Sequence, residues 1–207
     1  MNILGIESSC DETAAAVLRY HAKRFTLRSS VVASQIATHR RYGGVVPEVA
    51  ARTHVKHILP VIAQALRSAN ITPKKIDRIA VTVGPGLITS LQVGVQTART
   101  LAMLWDKPIY PINHLAGHLY SPWLENRPIH FPAVALIVSG GHTELILLRS
   151  AGKVKKIGQT IDDAAGEAFD KVSHMLKLGY PGGPAIAKLA THGNPQAFAF
   201  PRASQQN

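Results

Sequence analysis

Short apolar runs alternate along the chain with longer stretches whose apolar residues recur at helical spacing, the pattern of a mixed α/β protein. Residues 3–6 and 14–18 flank the polar segment Glu7-Ser8-Ser9-Cys10-Asp11-Glu12-Thr13, which predicts two strands joined by a turn. Ala14-Ala15-Ala16 is also good helix material, so the second strand stays open on pattern alone. After a basic stretch around Lys23, Arg24 and Arg28, the segment Tyr42-Gly43-Gly44-Val45-Val46-Pro47 punctuates the chain. Val55, Ile58, Leu59, Ile62 and Leu66 then fall on one apolar stripe, predicting a helix that Pro60 should bend.

Ile79-Ala80-Val81-Thr82-Val83 is β-branched and apolar and predicts a strand ending at Gly84-Pro85-Gly86. The helix expected behind it carries Leu91, Val95, Ala98, Ala102 and Trp105 on one face, with Thr89 or Ser90 as cap. A glycine loop between strand and helix can aim backbone amides at an anion. Its spacing fits neither the P-loop nor the dinucleotide fingerprint, and a structural tight turn is the simpler reading. Pro108, Pro111, Pro122, Pro128 and Pro132 mark a boundary region, so lobes are expected at 1–110 and 133–207 with a junction at 111–132. Residues 133–138 and 144–148 read as a hairpin around the tip Ser139-Gly140-Gly141-His142-Thr143. Thr160 and Asp163 suggest a capping box for a helix with Ala165, Ala168, Val172 and Met175 on its apolar face and a Glu167–Lys171 pair. Gly179-Tyr180-Pro181-Gly182-Gly183-Pro184, a short helix and a polar end complete the chain, without a repeat of solenoid length.

Composition narrows the class. With 46% apolar and 17% charged residues, the chain is too hydrophobic to stay disordered. No apolar run approaches the roughly 18 to 20 residues that span a bilayer, and the N-terminus opens directly into Ile3-Leu4-Gly5-Ile6, so a cytoplasmic protein without a membrane partner is expected. A single cysteine, Cys10, forbids an internal disulfide and any cysteine-based zinc cluster; it reads as a small buried residue. The formal net charge of +11 favours a polyanionic partner slightly over a merely solvated surface. Seven of the twelve carboxylates fall in two patches, Glu7, Asp11 and Glu12, and Asp162, Asp163, Glu167 and Asp170, which are candidates for metal, nucleotide or acid-base work or for turns and caps.

His114-Leu115-Ala116-Gly117-His118 puts two imidazoles four apart, on one face of a helix that Pro111 and Asn113 would start and cap. One divalent metal could bridge them, with a third ligand from elsewhere. His54 and His57 form a second close pair, as ten histidines will by chance. A zinc-protease reading fails because Leu115 occupies the position of the general base. Ser139-Gly140-Gly141 offers unobstructed amides for a phosphate or an acyl-phosphate, or an ordinary turn. Asp170 could accept from a ribose or simply face solvent. Gly182-Gly183 could admit a ligand or stop a helix. Asp11 could position a metal-bound water or a phosphate, or cap the turn.

In this order, Gly5-Ile6-Glu7-Ser8-Ser9-Cys10-Asp11-Glu12-Thr13, Gly43-Gly44-Val45-Val46-Pro47-Glu48, Gly84-Pro85-Gly86-Leu87, His114-x-x-x-His118, Ser139-Gly140-Gly141-His142-Thr143 and Gly179-Tyr180-Pro181-Gly182-Gly183-Pro184 resemble the universal tRNA threonylcarbamoyladenosine transferases, the TsaD family. The resemblance runs from the first residue to about Pro201-Arg202. It implies the fold of the actin-like ATPase, sugar kinase and heat-shock chaperone superfamily, with a first lobe and an incomplete second lobe. It also implies transfer of the threonylcarbamoyl group from threonylcarbamoyl-AMP to N6 of the adenine 3′ of the anticodon, in tRNAs that read codons starting with A. By the resemblance, His114 and His118 are metal ligands, for iron ahead of zinc, and Asp11 is catalytic. Ile137, Val138, Ser139, Gly140, Gly141, Asp170 and Gly183 would contact the adenylate, while Ala187 stands where many relatives have an aspartate contact. The implied partners are tRNA and the proteins of the tRNA threonylcarbamoyladenosine synthesis complex, docked through the first lobe.

Proteins similar to this chain continue past Pro201-Arg202 and supply an asparagine for the nucleotide and an aspartate for the metal. The expectation is therefore a fragment with low or absent activity alone, from a truncating frameshift, a pseudogene or a shortened chain, and with apolar sheet surface uncovered. A catalytically inactive partner-binding module of the same fold is the alternative.

Overall fold

The structure, a computed structural model, describes residues 1–125 and 129–200; Pro128 and the polar end at 203–207 lie outside them. The first sheet is built from β1 (Asn2–Glu7), β2 (Glu12–His21) and β3 (Arg24–Ser34), a continuous antiparallel meander. A short helix, α1 (Ile36–Arg40), leads to the long α2 (Pro47–Ser68). After a 3-10 turn at Pro73–Lys75 come β4 (Arg78–Gly84), α3 (Ile88–Trp105) and β5 (Ile109–Asn113). The sheet order is β3-β2-β1-β4-β5, with β4 parallel to β1 and β5 parallel to β4. The first sheet thus continues through Asn113, three residues beyond the expected boundary at 110.

α4 (His114–Tyr120) and a 3-10 turn at Ser121–Glu125 lead to a second sheet. This sheet is an antiparallel meander of β6 (Ala133–Val138), β7 (Thr143–Ser150) and β8 (Lys153–Gln159), followed by α5 (Ala165–Met175) and α6 (Gly182–Ala190). The α/β class agrees with the sequence reading, and no helix among the described residues is long and apolar enough to cross a membrane.

Period-two alternation explains the first core. Leu4 and Ile6 of β1, Ala15 and Val17 of β2, and Ile79 and Val81 of β4 point to one face, where α2 and α3 cover them. The matching face of α2 is Ile58, Val61, Ile62, Ala65 and Leu66, joined by Ala50 and His54. Val55 and Leu59, expected on that stripe, are 64% and 59% exposed, because the buried face is centred a step further round the helix. Pro60 lies within α2 on its solvent side; the ring removes one backbone donor without ending the helix.

Other expectations are corrected in the same way. Neither Thr89 nor Ser90 caps α3; the N-cap is Leu87, and Ser90 is buried with its carbonyl accepting from Ser8 Oγ at 2.8 Å. No capping box opens α5. Thr160 Oγ1 instead donates to the Asp163 carbonyl at 3.0 Å, and the α5 N-terminus is satisfied by Thr143 Oγ1, which accepts from Ala165 N at 2.9 Å. Val172 and Met175, expected on the apolar face of α5, are exposed, and Ser173 is the buried residue. The Glu167–Lys171 pair is present at 3.0 Å.

The loop Gly84-Pro85-Gly86 is a packing device. A Cβ at Gly86 would come within 2.5 Å of the Ser9 carbonyl oxygen, and that same oxygen accepts from Leu87 N at 2.7 Å. The loop therefore clamps the β1–β2 turn. Gly86→Ala is expected to destabilise the fold by about 1–3 kcal/mol through overpacking. Gly44→Ala, where a Cβ meets nothing within 4 Å, is the matched control and should stay within roughly 0.5 kcal/mol. Urea denaturation of both variants checks this; equal midpoints would contradict the clamp.

Candidate active site

Parallel strands deliver side chains at their C-terminal ends, and β1, β4 and β5 end side by side. Glu7 closes β1, Thr82 lies near the end of β4, and His114 follows β5 directly. The β4–β5 register shifts between Thr82 and Gly84, which leaves Val83 as the extra residue and re-aims the strand end. Asn113 caps α4 as expected, its side chain accepting from Ala116 N at 3.1 Å. That start fixes which way α4 faces. His114 and His118 project together, while Leu115 and Leu119 pack with Ile137, Ile146 and Leu148 of the second sheet.

Around the histidines the contacts are polar and short. His114 Nδ1 lies 3.2 Å from Glu7 Oε2 and 3.2 Å from Ser9 Oγ. Glu7 is itself fixed, with Oε1 accepting from Ser9 N at 2.5 Å and Oε2 from Thr82 Oγ1 at 2.6 Å. Burial alone would raise the Glu7 carboxyl, but the hydrogen bonds from His114, Ser9 and Thr82 outweigh it and hold it at about 2. On the other side, His114 Nε2 and His118 Nε2 are 3.1 Å apart with their rings nearly perpendicular. Burial, and then the neighbouring imidazole, lowers the pKa of His118, which favours the neutral, ligating form. His142 beside the hairpin tip is near enough to add to that effect.

The separation of the two nitrogens bears on metal binding. Two nitrogens bound at about 2.0–2.1 Å to one ion, at tetrahedral or octahedral angles, stand roughly 2.9–3.4 Å apart. The 3.1 Å pair falls inside that range, so the donor set fits a divalent ion. Among the described residues no group of three His, Cys, Asp or Glu side chains could hold a metal, because Glu7 approaches the far side of the His114 ring.

The other expected site residues lie on β6, on its hairpin tip, on α5 and on α6. Ile137 is buried under α4 and Val138 is exposed on the opposite face of β6. The tip is shaped by Ser139 N donating to the His142 carbonyl at 2.8 Å and His142 N donating to Ser139 Oγ at 3.1 Å. Gly166 at the start of α5 backs it, donating to the Ser139 carbonyl at 3.1 Å; a Cβ on Gly166 would press within 2.8 Å of Gly140 backbone. Gly140 and Gly141 themselves face open space, as does Gly183. Asp170 is not a free helical carboxylate: Oδ1 accepts from Gly182 N at 2.7 Å, capping α6. Gly182 is there because a Cβ would come within 2.4 Å of the Phe169 carbonyl oxygen. Burial, then the charges of Asp11 and Asp170, push the Tyr180 hydroxyl up to about 12. Arg40 Nε donates to the Tyr180 carbonyl at 3.3 Å and ties the lobes there.

Cys10 is exposed, contrary to the sequence reading. Its sulfur is nonetheless partly enclosed, and that desolvation, then the charge of Asp11, pushes the thiol up to about 12. It is no thiolate at neutral pH. Of the second histidine pair, His57 is exposed on α2, while His54 is buried between Thr13 Oγ1 at 2.8 Å and the Cys10 carbonyl at 3.0 Å. His54 anchors the Asp11 turn from below. Sequence reasoning named Glu7 in an acidic patch without connecting it to His114, and gave Ser9, Thr82 and His54 no part in the site. The available signal was the acidic residue closing the apolar run of β1.

A five-stranded mixed sheet and a three-stranded antiparallel sheet, with two imidazoles on the helix between them, define a two-sheet α/β protein. The family model for TsaD, tRNA N6-adenosine threonylcarbamoyltransferase, matches residues 26–207, and the chain belongs to that family. A tRNA N6-adenosine threonylcarbamoyltransferase of Thermomicrobium roseum is 57% identical over 98% of this chain and 56% of its own length. One of Magnetococcus marinus is 54% identical over 98% and 59%. The chain thus spans between 56% and 59% of these curated relatives. YeaZ from Pseudomonas aeruginosa is a solved structure of partial likeness, with 18% identity, 77% of this chain and 68% of that chain covered, and a TM-score of 0.47.

The Glu7 interactions set a pH dependence. A carboxyl held at about 2 in the folded chain and near 4.5 otherwise adds stability that is complete above about pH 4.5 and is lost as pH falls towards 2. Urea midpoints between pH 6 and 2 should therefore fall less steeply for Glu7→Gln, which has no charge to neutralise, than for the wild-type chain. Parallel curves would contradict the assignment.

Proposed function

We propose that this chain carries the metal-holding and adenylate-binding part of a tRNA N6-adenosine threonylcarbamoyltransferase. The observation that supports it most is the imidazole pair, 3.1 Å apart at Nε2, a separation that suits one divalent ion. His114 and His118 would hold one divalent ion, iron ahead of zinc. When bound, that ion supplies Lewis-acid polarisation of the carbamoyl carbonyl.

The chain's own residues do the rest. Gly140 and Gly141, with Ser139 fixing their loop, would cradle the phosphate of threonylcarbamoyl-AMP by backbone amides, and Ile137 and Val138 deliver that loop from β6. Asp170, with one oxygen committed to Gly182, keeps the other for the ribose, and Gly183 lets the nucleotide approach α6. Adenine N6 attacks the carbamoyl carbon, the bond to the phosphate oxygen of AMP breaks, and Asp11 would accept the proton that leaves N6. The positive charge of the chain suits tRNA, and a cytoplasmic setting follows from that substrate.

A second reading rests on α2 and α3. Between them runs an apolar groove lined by Val55, Leu59, Val93 and Leu101, away from the imidazoles. As a partner-binding module, the chain would offer that groove to a protein of the synthesis complex and be inactive, since the described residues give the metal only two nitrogens and no third protein ligand.

Transfer of labelled threonylcarbamoyl to unmodified tRNA, with the partner proteins added, separates the two. The first reading predicts turnover, low for this chain and reduced at least 100-fold by His114→Ala. Binding of a partner without any turnover would support the module instead.

A further inference from the structure

We propose that Glu7 is a positioning residue for the metal-binding imidazole, setting the tautomer and orientation of His114 through Nδ1; this rests on the metal reading of the site. A carboxylate only accepts hydrogen bonds, so the contact of Oε2 with Nδ1 at 3.2 Å requires the ring proton on Nδ1. In the neutral ring the lone pair then lies on Nε2, the atom that faces His118 Nε2 at 3.1 Å. Ser9 Oγ, at 3.2 Å from the same nitrogen, is compatible with either tautomer, because a hydroxyl can donate or accept. Glu7 alone decides the matter.

The carboxylate can do this because it is held. Ser9 N reaches Oε1, Thr82 Oγ1 reaches Oε2, and the two donors come from the turn after β1 and from the neighbouring strand β4. Glu7 therefore meets three donors with its two oxygens, a demand that glutamine, with one carbonyl oxygen, cannot meet. Without that contact an imidazole in water prefers its proton on Nε2, which would block the ligating atom. Carboxylate–imidazole–metal relays of this kind are common outer-shell devices, and breaking one costs about 10- to 100-fold in metal affinity.

The test uses the full 207-residue chain, stripped of metal, and long-range proton–nitrogen correlation spectra of its histidines at pH 8, assigned by His114→Gln. The wild-type spectrum should show His114 with its proton on Nδ1, and Glu7→Ala should move it to Nε2 while the backbone amide spectrum stays folded. A wild-type His114 already protonated on Nε2 overturns the proposal, and so does a Glu7→Ala tautomer unchanged from wild type. Zinc titration by calorimetry then separates the two readings. Wild-type binding weakened 10- to 100-fold in Glu7→Ala supports the relay. Equal affinities overturn it, and no binding by the wild type overturns the metal reading while the tautomer result still decides the role of Glu7.

Discussion

A carboxylate at the end of β1 and an imidazole at the start of α4 meet at 3.2 Å, and the candidate site is built around that contact. It joins the first strand of the first sheet to the helix that leaves its last strand. The same seven-residue helix turns Leu115 and Leu119 into the second sheet, so the orientation that brings His114 to Glu7 also seats β6 and β7. Ser9 and Thr82 steady the carboxylate, and Gly86 steadies Ser9. The hydrogen-bonding network and the glycine packing are thus one structure, with its hydrophobic support on the far side of α4.

How much of this was legible in the sequence depended on whether local pattern or tertiary packing decided each feature. Strand β4, the β6–β7 hairpin, the α3 stripe and the Asn113 cap were readable because period and capping chemistry are local. The basic stretch that became β3 and the lysine-rich β8 were not identified as strands, since edge strands carry charge and lack an apolar alternation. The buried face of α2 turned away from Val55 and Leu59 because α3 and the sheet, not the helix itself, choose the face. Thr160 turned its hydroxyl to the Asp163 carbonyl instead of capping α5, a competition between local hydrogen bonds that sequence spacing does not resolve.

The candidate site was legible at its histidines and glycines and illegible at its support. The spacing of His114 and His118 stated that both lie on one face, and the structure stacks the two rings edge to face at 4.5 Å between centroids. The dependence of His114 on Glu7, 107 positions away, is a product of parallel strand order. Asp170 shows the converse: a residue expected to face a ligand spends one oxygen on the α6 N-terminus. The outward faces of the second lobe remain apolar, with Val134 and Leu136 more than 60% exposed, as the sequence led one to expect. The relatives that match this chain are longer than it is.

The central claim is that the imidazole pair and the serine-glycine tip share one crevice. Loading the chain with cobalt(II) and recording pseudocontact shifts of its backbone amides tests this most directly, because the shifts fall steeply with distance from the ion. The account predicts the largest shifts at α4, Glu7 and Ser9, with Gly140 and Gly141 next and the C-terminal end of α2 around Ser68 nearly unmoved. Shifts confined to α4 and the β1 end, with the tip unmoved, would contradict it.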